Sequence, residues 1–94
     1  MSLQGITQFA LTEHALFEMK RREINDDEIA LPLAEPGQTE IVRPERAIYQ
    51  RVFQLGDPPV PYLLRVVVDI DRRPPDVVTV YRTSKIAKYW RQDP

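Results

Sequence analysis

The chain contains no cysteine. Disulfides, thiol nucleophiles and thiolate metal ligands are therefore excluded. Histidine occurs once, as His14. A zinc site would have to be completed by carboxylates alone, so no metal centre is expected. The three glycines, Gly5, Gly37 and Gly56, are scattered. A phosphate-cradling loop needs clustered glycines, and no cofactor is expected. There is no Ser-elbow motif and no paired Cys–His arrangement. Apolar runs stay well short of the ~20 residues that span a bilayer. The first residues lack the basic start and long apolar stretch of a secretory leader. These absences lead us to expect a cytoplasmic protein that does not engage membranes.

What is present describes a small globular unit. The 94 residues suffice for one domain, 1–94, and 43% of them are hydrophobic. Formal net charge is −1, so overall charge selects no partner. Its distribution is uneven. Residues 1–60 carry ten acids and six bases, and residues 61–94 carry four acids and seven bases. A basic second half is suited to meeting phosphates.

Leu11 to Arg22 reads as a helix. Thr12 suits the N-cap, Glu13 the positive end, and Lys20, Arg21 and Arg22 the negative end. Leu11, Ala15, Leu16 and Met19 share one face at helical spacing, with His14 on its flank beside Glu18 and Arg21. Asn25 opens a second helix, and Glu28 completes a capping box. Pro32 removes an internal hydrogen bond, which predicts a short or distorted helix ending at Glu35-Pro36-Gly37.

From Thr39 the pattern turns to β. Strands are expected over Thr39 to Val42, Ala47 to Leu55, Tyr62 to Ile70, and Val77 to Arg82 or Thr83. Gly56-Asp57-Pro58-Pro59 and Asp71 to Pro75 mark the connections, and Ser84 is expected to start a closing helix. Links this short favour antiparallel pairing. The expected fold is α+β: two N-terminal helices on one face of a three- to four-stranded antiparallel sheet, then a short C-terminal helix.

Alternation places Tyr62, Leu64, Val66, Val68 and Ile70 on the core face and Arg65 on the other. In the last strand two registers are open. If Val78 and Val80 face the helices, Thr79 and Tyr81 join Arg65, and Arg82 leaves the core at the sheet edge. In the reverse register Arg82 joins Arg65. Either way a sheet covered on one side presents Arg65 on a partly open second face with some of Tyr81, Arg82 and Thr83.

The segments "LTEHALFEMKRREIN" and "VVTVYRTSKIAKYW" resemble a small bacterial family, the domain-of-unknown-function family 4258. Its pattern is a T-x-H-A-x-x-x-M-x-x-R helix, an I-x-x-x-E second helix and a terminal V-x-T-x-Y-R-x-S strand. Thr12, His14, Ala15, Met19 and Arg22 match the first element, and Ile24 and Glu28 the second. Val78, Val80, Tyr81, Arg82, Thr83 and Ser84 fall in the third. Glu23 stands where such sequences often carry Gly. More remotely the family is similar to RelE/BrnT toxins. That similarity implies helices packed on an antiparallel sheet, RNA on the open face, and a cognate antitoxin. A homodimer is a further expectation.

Metal-free RNA cleavage uses the ribose 2′-hydroxyl as nucleophile. His14 would act as base or acid. Arg65 and Arg82 would hold the phosphate, and Tyr81 would donate a proton or stack on a base. Arg22, Thr83, Ser84 and Lys85 are the expected substrate contacts. The competing reading is a non-catalytic relative of toxin fold that binds protein or nucleic acid. On that reading Arg82 pairs with Asp69 or Asp76, and Thr83 and Ser84 merely join strand to helix.

Overall fold

The structure, a computed structural model, describes residues 3–92; the two residues at each end of the expected domain lie outside the described residues. Eight elements follow in order: β1 (Ala10–Leu11), α1 (Glu13–Arg22), α2 (Asp26–Ala34), β2 (Gln38–Arg43), β3 (Arg46–Leu55), β4 (Val60–Asp69), β5 (Asp76–Thr83) and α3 (Ile86–Tyr89). They build one five-stranded sheet ordered β1-β5-β4-β3-β2. The α+β architecture and the four antiparallel strands β2 to β5 follow the expectation. The sheet as a whole does not, because it is mixed. β1 pairs parallel with β5, Ala10 against Asp76 and Leu11 against Val77. Two residues are too short a run to show strand periodicity, so Leu11 reads as helix when it belongs to the sheet.

Thr12 closes this corner. It caps α1 by accepting from the Ala15 N–H at 3.1 Å. Its hydroxyl proton is shared between the carbonyls of Val77 and Val78, at 3.0 and 3.2 Å. One side chain thus satisfies a helix-end donor and fastens the helix to β5. Asn25 accepts from the Glu28 N–H at 2.8 Å, and Glu28 accepts from the Asn25 N–H at 3.1 Å, so the capping box of α2 is complete. As expected, α2 is short and ends at Glu35, nine residues long, with Pro32 inside it. The Pro32 ring is fully buried, and Glu35 N–H still reaches the Leu31 carbonyl. Burial of the ring offsets the one hydrogen bond it removes.

The core lies between the helices and one sheet face. Ala15, Met19, Ile24, Ile29 and Leu33 meet Ala47, Tyr49, Leu64, Val66, Val68, Val77 and Val80. β4 alternates as its sequence predicts. β5 carries a bulge: Val67 faces Thr79 but Val68 faces Val77, so Val78 is skipped. Val77 therefore takes the core place expected of Val78, while Val80 and Tyr81 keep the first of the two registers. On α1 the expected stripe fails at Leu16, which is 51% exposed, while Glu18 is 8% exposed. The helix rolls so that Glu18 sits between Arg21 and Arg22, which leaves Leu16 and Phe17 facing out.

Candidate functional site: the polar end of the last strand

Arg65 and Tyr81 are cross-strand neighbours on the sheet face away from α1 and α2. Arg65 Nη1 donates to the Tyr81 hydroxyl at 2.6 Å, and Nε donates to Gln50 Oε1 at 2.9 Å. Glu40 lies 3.6 Å from Nη2. The Tyr89 ring covers the guanidinium at 4.2 Å from its centroid, a cation–π contact strengthened by desolvation. Arg65 is only 6% exposed. The face expected to be partly open is thus closed over its cation, because the chain folds back on it after β5.

Arg82 takes the opposite face, beside Leu64 in the ladder. It donates to the Arg22 carbonyl and lies 3.5 Å from the Glu28 carboxylate. Its partner is neither Asp69 nor Asp76. Asp69 is bound by Arg46 at 2.7 Å, which holds its carboxyl below the usual range. The Arg22 side chain is also committed, donating to Glu18 at 3.1 Å. Hydrogen bonds from Arg21 and then Arg22 bring Glu18 down to about 2.

His14 is exposed on α1, and no hydrogen bond or ion pair joins it to Arg65, Tyr81 or Arg82 among the described residues. The sheet lies between α1 and the Arg65–Tyr81 pair. Arg82 touches the far end of α1, at Arg22, roughly 12 Å along the helix axis from His14. The four residues expected to form one reaction centre therefore lie in three places.

Thr83, Ser84 and Lys85 are consecutive and lie where β5 ends. Thr83 Oγ1 accepts from the Lys85 N–H at 3.0 Å, and Ser84 and Lys85 are exposed. Ser84 does not cap α3; Lys85 holds that position, without a side-chain cap. Beside them opens a cleft of about 200 Å³ between Leu55, Val60 and Tyr62 on the β3–β4 hairpin and Arg82, Thr83 and Ser84 on the other wall. The hairpin turn is set by Gly56, whose φ of 94° suits a residue without a β-carbon. The Arg82 guanidinium lies 5.9 Å from the Tyr62 ring centroid. Sequence reasoning missed Gln50, Tyr62 and Glu40. Gln50 carried little signal, because in "AIYQRVF" it stands between Tyr49 and the charged Arg51. Among the described residues no three metal-ligating side chains converge, and no helix is long and apolar enough to cross a membrane.

A family model described as a domain of unknown function, DUF4258, matches residues 11–82. Comparison with curated proteins and with solved structures finds no match.

Proposed function

The chain belongs to the DUF4258 family, and on that scaffold we propose that it is an RNA-binding module related to the RelE/BrnT toxins, acting by binding rather than by cleavage. The observation that carries this reading is the cleft at the end of β5. There the exposed Ser84 lines the wall opposite Tyr62, the exposed Lys85 follows it in the chain, and the Arg82 guanidinium, held by the Arg22 carbonyl and Glu28, lies 5.9 Å from the Tyr62 ring centroid. Cations and hydroxyls meet phosphates, and an aromatic ring stacks on an unpaired base. The basic second half of the chain has the matching sign. Binding is favoured over cleavage because His14 stands apart from both arginines.

The test is fluorescence anisotropy with a labelled single-stranded RNA at several salt concentrations. Saturable binding that weakens with salt is expected. Lys85→Glu should weaken it and lower the salt slope by about one. No saturable binding at low salt would overturn the reading, and scission of the RNA by the wild type would restore a catalytic one.

A second reading rests on α1, where Leu16 and Phe17 are 51% and 62% exposed side by side. Such a patch suits a protein partner, either an antitoxin-like chain or a second copy. Sedimentation of the wild type against Phe17→Asp separates these: a dimer lost in the variant identifies the second copy.

A further inference from the structure

The chain after β5 crosses the sheet face that faces away from α1 and α2. Tyr89 covers Arg65. Trp90 lies on Gly37, so close that a β-carbon there would sit 2.7 Å from its Cη2 atom. Gln38 binds Arg91 twice, donating to its carbonyl at 2.9 Å and accepting from its N–H at 3.0 Å. Gln50 donates to the Tyr89 carbonyl at 3.3 Å. This cover is thin. α3 has four residues and none is buried. Segments with few buried apolar contacts open at low cost.

Beneath the cover Arg65 is already arranged as an anion receptor. Nε and Nη1 are held by Gln50 and Tyr81, which fixes the guanidinium plane. Among the described residues Nη2 has only the looser 3.6 Å contact with Glu40, a side chain 46% exposed. A phosphate oxygen would take that position with a charge-assisted bond. The cover also begins at Ile86, directly after Lys85, so the binding rim and the cover are one continuous segment.

We propose that residues 86–91 are a displaceable strap over a phosphate site centred on Arg65, and that RNA held at the β5 rim lifts it. This inference rests on the RNA-binding reading above and assigns its regulation. The closed strap reduces apparent affinity by the fraction of molecules that are closed.

Trp90 is the only tryptophan, so its fluorescence reports the strap. In the full-length protein, saturating single-stranded RNA should move Trp90 emission to the red and increase quenching by acrylamide. Gln38→Ala removes both contacts to Arg91, together with the 2.9 Å bond that Gln38 accepts from Gln50, while Gln50 keeps its bond from Arg65; it should tighten RNA binding about fivefold or more. Gly37→Ala, whose added β-carbon would meet Trp90 Cη2 at 2.7 Å, should do the same. Inorganic phosphate alone, at matched phosphate concentration, should leave the emission in place; an equal shift would make free phosphate the ligand and overturn the assignment to RNA. RNA binding that saturates with Trp90 undisturbed would overturn the strap and leave the rim reading intact, as would variants that free Trp90 without gaining affinity. Binding by Gln38→Ala but not by the wild type would support the strap and overturn the rim. Binding by neither would remove both.

Discussion

Arg82, at the end of β5, donates through Nη2 to the carbonyl oxygen of Arg22, the last residue of α1. Final helix carbonyls have no donor inside the helix, so the sheet supplies one. The same guanidinium reaches Glu28, which closes the capping box of α2. One side chain therefore fixes the exit of one helix, the start of the next, and the strand they pack on.

Removing that clamp should show in stability. Arg82→Ala takes away the charge-assisted bond and strands a part-buried carbonyl, a loss of about 1–3 kcal/mol. Arg82→Lys should recover only part, because an ammonium cannot serve both partners from one plane. Urea unfolding monitored by circular dichroism measures both. An Arg82→Ala midpoint equal to wild type would show that the clamp contributes nothing.

Glu23 ends α1 in the left-handed region, at φ 55° and ψ 48°. A side chain there costs roughly 1 kcal/mol relative to glycine. Its carboxylate also sits at the negative end of the helix, the unfavourable place for an acid. Glu23→Gly should therefore stabilise the fold by about 0.5–1 kcal/mol after the extra chain entropy of glycine is counted, and so raise the urea midpoint. A lower midpoint would mean that the Glu23 side chain makes a compensating interaction.

The elements were legible where the chain repeats a period. The alternation in β4 and the caps at Thr12 and Asn25 are local signals, and the structure follows them. The bulge at Val78 was not legible, because a one-residue slip in β5 is set by its pairing with β4 and with β1. The inversion on α1 was also hidden. Glu18 is buried because Arg21 and Arg22 lie on its own helix face and neutralise it, and propensity alone would have put Leu16 inside. The polar run Tyr81 to Lys85 was visible as a cluster. What sequence could not show is that alternation sends Tyr81 and Arg82 to opposite faces, each to a different arginine. The motif is divided by the sheet it belongs to.

Glu18 makes acid stability a test of that inversion. Its pKa falls from 4.5 to about 2 through hydrogen bonds from Arg21 and Arg22. A carboxyl depressed in the folded state binds fewer protons there than when unfolded. Its contribution is therefore full above about pH 4.5 and lost as pH falls toward 2. Asp69, lowered by Arg46, acts with the same sign, so the comparison must be between variants. Glu18→Gln should be less stable than wild type at pH 7, with the two curves converging as the pH approaches 2. A constant gap across that range would show that the loss comes from packing and not from the charge.

His14 is the first-helix motif residue that the fold leaves idle. Thr12 caps the helix, Ala15 and Met19 fill the core, and the Arg22 carbonyl receives Arg82. His14 is exposed on α1. An exposed side chain free of packing duties changes stability within about 0.5 kcal/mol when truncated, so His14→Ala should unfold with wild type. If the RNA contact is the β5 rim, the same variant should also keep its RNA affinity, since α1 lies across the sheet from Arg65 and His14 lies at the far end of that helix from Arg82. Arg82→Ala, by contrast, should lose both stability and binding. A His14→Ala variant that folds normally yet binds RNA tenfold more weakly would move the interface to the outer face of α1, beside Phe17, and would make the imidazole a direct contact.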